Sequence, residues 1–177
     1  MNAPRDTPVD PDELHATARI ADGSVIQMRP ITSEDEELML ELFNSFSQET
    51  RRRRWFHAKT WMPRRELQAY LDNDYERDVA VLATWMDYDG ETPLGVGRYT
   101  MHDGEAEVAV VVRDDWQNRG VGTALLRHLI EVAGRQDITA LTAEVTRGNE
   151  AMLHLFDKLG FTVEREQAGL IYLRRPL

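Results

Sequence analysis

The residues best suited to chemistry lie between Glu105 and Thr123. A carboxylate-bearing run, Glu105 to Val112, turns apolar, and polar residues then lead to Gly120 and Gly122. Along a strand, side chains alternate between faces, so Glu105, Glu107, Ala109 and Val111 share one side and Ala106, Val108, Val110 and Val112 the other. Val108 to Val112 is apolar on both faces, so the strand should become buried as it advances, with Glu107 at the border. Burial disfavours a charged carboxylate and lifts a glutamate from about 4.3 toward neutrality, where it serves as a general base. An exposed strand-start glutamate is the plain alternative, and it suits Glu105 better than Glu107.

The next segment, Gln117, Asn118, Arg119, Gly120, Val121, Gly122 and Thr123, sets glycines at the mouth of a helix. Free backbone N–H groups and the positive end of the helix dipole favour a phosphate there. Gly120 and Gly122 lack the Cβ atoms that would hold a ligand away, and Arg119 adds a cationic donor. The Gly-Lys-Ser/Thr ending of a P-loop and the G-x-G-x-x-G dinucleotide motif are both absent. Taken alone, this heptapeptide reads equally as a glycine-rich helix cap.

Other candidates are weaker. His102 sits in a turn beside the strand and is a second possible base; His15 falls in the N-terminal stretch, and His57, His128 and His154 lie in helical patterns that suggest solvated faces. No spacing resembles a metal site or a catalytic triad. Arg51 to Arg54, followed by Trp55 and Phe56, form the most basic patch of the chain. The patch reads as a helix with aromatics turned inward and arginines solvated or paired, ahead of a nucleic-acid or phosphate site.

The elements that position these residues follow from periodicity. Residues 1–16, rich in Pro and Asp without a hydrophobic period, are expected to form a mobile tail. Two short runs flank the turn at Asp22-Gly23, the second giving a strand from Val25 to Arg29. Thr32 or Ser33 caps a helix carrying Leu38, Leu42 and Phe46, and Pro63 to Leu71 begins another. Val79 to Met86, Leu94 to Met101 and Glu105 to Val112 make an antiparallel meander. A helix carrying Leu125, Leu126, Leu129 and Ile130 ends at Gly134 and leads to a strand, Ile138 to Val145. A helix over Asn149 to Leu159 is followed by two closing strands. The expected fold class is α+β (α/β mixed), a mostly antiparallel sheet of six to seven strands with helices on both faces.

Composition narrows the function. With 177 residues one domain is expected, and the absence of cysteine removes thiol nucleophiles, thiolate metal sites and disulfides. A cytoplasmic location is compatible with this. A formal charge of -10 disfavours nonspecific nucleic-acid binding and suits cationic partners such as amines. No run approaches the length of a membrane span, and no signal peptide is visible.

Gln117-x-Arg119-Gly120-x-Gly122 after an apolar strand resembles the acyl-CoA signature of the GNAT N-acetyltransferase superfamily. Asn149, Ala151, Phe156, Lys158 and the Leu159-Gly160-Phe161 ending resemble that family's last helix. The wording of Met28 to Ile31 and of Val110 to Gly122 is closest to the acetyltransferase domains of bacterial protein-lysine acetyltransferases. The resemblance implies a GNAT domain over residues 17–177 that uses acetyl-CoA as co-substrate and no metal. It implies that the backbone of Val110, Val111 and Val112 binds the pantetheine arm, that Asn118 to Thr123 hold the pyrophosphate, and that Asn149 contacts the cofactor. It further implies that Glu107 is the general base. The acceptor is expected to be a primary amine, first of all a protein lysine; a small amine or amino-acid derivative, or a noncatalytic acyl-CoA sensor, are the alternatives. A monomer or a homodimer fits equally. One departure stands out: Phe156 occupies the place where many members carry a tyrosine that protonates the departing thiolate. Either the thiolate leaves unaided, or Tyr172 or Tyr99 reaches the site, or catalysis is weakened.

Overall fold

The front half of the chain is a meander built on tight turns. The computed structural model describes residues 8–177. It contains strands β1 (Ala16–Arg19), β2 (Val25–Pro30), β3 (Asp78–Asp87), β4 (Gly90–His102) and β5 (Glu105–Val112), with helices α1 (Glu36–Ser45), α2 (Gln48–Trp55) and α3 (Arg64–Leu71) inserted after β2. At the β4–β5 turn, Asp103 and Gly104 both adopt positive φ (50° and 82°), the conformation that joins two antiparallel strands through two residues. The back half is α4 (Val121–Ala133), β6 (Ala140–Thr146), α5 (Glu150–Lys158), β7 (Thr162–Gln167) and β8 (Leu170–Pro176).

All eight strands form one sheet in the order β1-β2-β3-β4-β5-β6-β8-β7. The mixed α+β class and the helices on both faces are as expected, and the sheet gains its eighth strand from β1, the first arm of the opening hairpin. Every pairing is antiparallel except β5 with β6, which the α4 crossover makes parallel. That parallel pairing runs only from Glu105↔Ala140 to Glu107↔Thr142. Beyond it β5 continues to Val112 on β4, and β6 continues to Thr146 on β8. The sheet therefore parts in its middle, between its two parallel strands.

The two sheet faces carry separate cores. Ala106, Val108, Val110 and Val112 face α4 and α5, with Leu125, Leu126 and Leu129 fully buried among them. Val111 and Val96 face α1 and α3, with Leu42, Phe43 and Leu67. A Cβ at Gly97 would come within 2.8 Å of Leu129 Cδ1, so the bare glycine lets α4 settle onto β4. On the other side, Arg29 makes paired bonds to both Asp35 (2.7 and 2.9 Å) and Glu91 (2.8 and 2.9 Å). Asp35 also accepts the Thr32 amide at 2.7 Å, closing a capping box that fixes the entry to α1.

Two expectations need correction. The tail predicted over residues 1–16 is packed from Val9 onward: Val9 and Leu14 lie in the α4-side core, and the Val9 N–H donates to the Tyr75 carbonyl at 2.8 Å. The apolar side chains in this Asp- and Pro-rich stretch are too few to make a period, yet Val9 and Leu14 are both buried. Residues 1–7 lie outside the described residues. His128, placed on a solvated helix face by its sequence position, is buried within 3.1 Å of the Leu14 carbonyl. The same N-terminal segment covers it.

Candidate active site

The parting of β5 from β6 opens a cleft of about 430 Å³. Along its length it is lined by Glu107 to Val112 from one strand and by Glu144 and Val145 from the other. Val110, Val111 and Val112, the residues expected to bed a pantetheine arm, all line it. Gln117, Asn118, Gly120, Gly122 and Thr123 line it from the start of α4, and Asn149 from the start of α5. The sequence-predicted residues are thus brought together, with two exceptions.

Arg119 and Val121 do not line the cleft. The Arg119 guanidinium pairs with Asp22 in the β1–β2 turn and lies 4.1 Å over the Trp116 ring. The expected cationic donor therefore fastens the loop to the opening hairpin, helped by a bond from the Ala21 N–H to the Arg119 carbonyl at 2.9 Å. Val121 is buried in the core beneath the helix start. Both were assigned from motif position, and a partner 97 residues away leaves no local signal.

The expected anion seat is formed by backbone. Asn118 (φ 58°) and Gly120 (φ 101°) adopt left-handed conformations that turn the chain into α4, and no side chain caps that helix. The first N–H groups of a helix have no partner within it, so an uncapped start on a cleft wall is open to an anion. A Cβ at Gly122 would sit 3.4 Å from Leu155 and 3.6 Å from Val112, so its absence widens the cleft at this end. Gln117 has a structural duty: its side-chain amide donates to the Val112 carbonyl at 3.0 Å and to Thr50 Oγ at 3.1 Å. Asn149 also serves the fold, accepting the Met152 N–H at 3.4 Å as the N-cap of α5.

Glu107 lines the cleft but is exposed, against the burial expected of it. The cleft supplies a second carboxylate in its place. Glu144 extends from β6 on the same face as Glu107, because the parallel register sets Thr142 beside Glu107. Burial lifts the Glu144 carboxyl above its ordinary value, and the nearby Glu107 charge raises it further against the opposing pull of Arg165. Two like charges at one site favour a shared proton or a bound cation. Glu144 was legible in principle, as the charged residue inside an apolar strand. Its pairing with Glu107 needed the register.

Three residues of the basic patch, read from the sequence as solvated or paired arginines and an inward-facing aromatic, line the cleft. Arg53, Arg54 and Phe56 reach it from α2, where Thr50, Arg53 and Arg54 form an i, i+3, i+4 stripe. Phe56 ends that helix in a left-handed conformation (φ 61°) and is exposed. The rest of the basic patch behaves as expected: Arg52 and Arg53 pair with Glu49, and Arg51 lies 4.4 Å over Phe43 while donating to backbone carbonyls. Trp55 packs on Phe43 and Phe46.

Phe156 lines the cleft, buried, with its ring 4.7 Å from that of Phe161. Neither proposed substitute for its missing hydroxyl is a lining residue. Tyr99 faces the α4 core fully buried, with burial raising its hydroxyl far above the usual tyrosine range. Tyr172 lies beside Glu144 in register, beneath the Arg165 guanidinium at 3.7 Å. Among the described residues no group of His, Asp and Glu could hold a metal ion, and no helix is long and apolar enough to cross a membrane.

A split parallel strand pair thus stands beside an uncapped, glycine-opened helix. The sequence profile of the Acetyltransferase (GNAT) family matches residues 37–161. The chain belongs to the GNAT family. It is 32% identical over 155 residues to acetyltransferase PA5475 of Pseudomonas aeruginosa, covering 86% of this chain and 83% of that one. It is also 32% identical over 158 residues to acetyltransferase Pat of Mycolicibacterium smegmatis; the match covers 86% of this chain and 46% of Pat, so the GNAT chain spans about half of that relative. The GNAT domain of S. lividans PAT superposes with a TM-score of 0.88 at 29% identity, covering 95% of this chain and 99% of the domain. The protein is an N-acetyltransferase with the GNAT fold.

Proposed function

We propose that the protein transfers an acetyl group from acetyl-CoA directly to a primary amine, first of all a protein lysine, with Glu107 as general base. One observation carries this reading. Glu107, the free edge of β5 and the uncapped start of α4 line a single cleft, so a base, an extended binding strand and a phosphate seat share one ligand path.

The backbone of Val110 to Val112 beds the pantetheine arm. The first turn of α4, from Asn118 to Thr123, takes the pyrophosphate through its N–H groups, and Asn149 contacts the arm from α5. A lysine amine is protonated at neutral pH, and removing its proton costs about 4–5 kcal/mol, from the gap between pKa ~10.4 and pH 7. Glu107 takes that proton, directly or through one water, as the amine attacks the thioester carbonyl. A backbone N–H near Val111 polarises the carbonyl oxygen. The tetrahedral intermediate then expels the CoA thiolate, which leaves without an acid because Phe156 has no proton to give, and the second proton of the attacking nitrogen passes to solvent. Glu144 shares the negative field that draws in the ammonium group. The cysteine-free chain needs no covalent enzyme intermediate and suits the cytoplasm, as a monomer or a homodimer.

The test is turnover of acetyl-CoA, followed by thiol release, against simple amines, amino acids and lysine peptides, with mass spectrometry of the acceptors. Acetylated lysine peptides and a sequential initial-rate pattern are expected. Binding of CoA with no acetylation of any amine would overturn the reading in favour of an acyl-CoA sensor.

A further inference from the structure

Arg54 is a cation on the cleft wall held by neutral groups, the Tyr70 hydroxyl and the Trp55 ring. Its neighbours Arg52 and Arg53 are balanced by Glu49, and Arg51 by carbonyl oxygens, but among the described residues no carboxylate pairs with Arg54. Its guanidinium is held instead by the Tyr70 hydroxyl, to which it donates at 3.1 Å, and by the Trp55 ring at 5.4 Å. These partners fix the head group while leaving its full charge and its remaining donors available.

The position of that charge is set by a chain of contacts. The Tyr70 ring lies 5.2 Å beneath the Arg98 guanidinium, and Arg98 stands opposite Ala109 in the β4–β5 register. Ala109 follows Glu107 by two residues on the same sheet face, a spacing of about 7 Å along a strand. Arg54 therefore belongs to the face that carries Glu107 and Glu144, opposite the face that carries α4 and its phosphate seat. Arg54, Glu107 and Glu144 thus line one cleft, a guanidinium and two carboxylates on the same face of the sheet.

We propose that Arg54 is the anion-recognition group of the acceptor site, so that the preferred acceptors are primary amines whose own molecule carries a carboxylate near the amine. The inference rests on the acetyltransferase reading above. The guanidinium orients such an acceptor through its carboxylate, and the ammonium is thereby presented to Glu107 and Glu144. A free amino acid and a peptide lysine beside Asp or Glu share this chemistry.

Matched acceptors separate the possibilities: a free amino acid and its amide, a lysine peptide flanked by glutamate and the same peptide flanked by glutamine, and a simple alkylamine. Each is measured with the native protein, Arg54→Met and Arg54→Lys, by acetylation kinetics and by calorimetric binding to the CoA complex. Losing the acceptor's carboxylate is expected to lower kcat/KM by about 10- to 100-fold, as for a lost bond to a charged group. Arg54→Met should impose a similar loss on the carboxylate acceptor and none on its amide, Arg54→Lys should restore part of it, and the KM for acetyl-CoA should not move. Whichever pair shows the effect identifies the source of the amine. Equal losses on both members of each pair, or a raised KM for acetyl-CoA in place of them, would overturn the proposal. Carboxylate- and Arg54-dependent binding without turnover would uphold the anion seat and reject the transferase reading; turnover that ignores the carboxylate would do the reverse.

Discussion

At the scale of single residues the site depends on two carboxylates and one absent hydroxyl. Glu144 is lifted by burial and then by the Glu107 charge, so in the folded protein it holds a proton to higher pH than in the unfolded chain. The native state therefore binds more protons between the two values, and its stability falls as pH rises through that window. Glu144→Gln removes the like charge. Its thermal stability is expected to vary less across that pH range than that of the native protein. A stability profile as steep as the native one would show that Glu144 is not the group responsible. Phe156→Tyr tests the leaving group. If the thiolate departs unaided, a new hydroxyl on the cleft wall should leave kcat nearly unchanged in steady-state assays. A rise of tenfold or more, about 1.4 kcal/mol in barrier, would show that protonation limits the native enzyme.

At the scale of elements, the cleft is held in shape by ties between α2 and the loop before α4. Asp114 accepts the Ser47 N–H and the Thr50 hydroxyl, each at 2.9 Å, and Thr50 also receives Gln117. Burial pushes the Asp114 carboxyl up, but the bonds from Ser47 and Thr50 outweigh it and hold the group below its ordinary value. A depressed carboxylate stabilises the native state above the unfolded pKa of about 3.9, and that contribution is lost as pH falls through the folded value. Asp114→Ala should cost about 1–2 kcal/mol at neutral pH, as for lost bonds to a charged group, and should flatten the acid end of the stability curve. Amide exchange should quicken in α2, and the KM for the acceptor should rise more than that for acetyl-CoA. Equal exchange in α2 would show the tie to be idle. None of this was legible in the sequence, because Asp114 and Ser47 are 67 positions apart. What could be read were local signals: the alternation in β5, the glycines opening α4 and the apolar stripe of that helix. Partners fixed by tertiary packing, such as Asp22 for Arg119 and Glu107 for Glu144, could not.

At the scale of the whole molecule, topology creates the site. A meander places β5 beside β4, a crossover through α4 returns the chain as β6, and the two parallel strands stay paired for three registers before they part. The crossover helix then begins at the open end of the gap, where β5 finishes, and so delivers its positive pole to the cleft. The order of elements was readable from periodicity and turns, whereas the two stretches proposed to hold the cofactor were read from the family resemblance. The exposure of Glu107 was not readable, because an apolar run on both faces suggests burial, whereas the parting of the strands leaves this border position open. The central claim is that Glu107, at the point of parting, is the base. It is tested most directly by Glu107→Gln, with steady-state turnover measured beside calorimetric binding of CoA. The account predicts nearly unchanged CoA affinity with kcat lowered by about 10²- to 10⁴-fold, as for loss of a general base; unchanged turnover would contradict it.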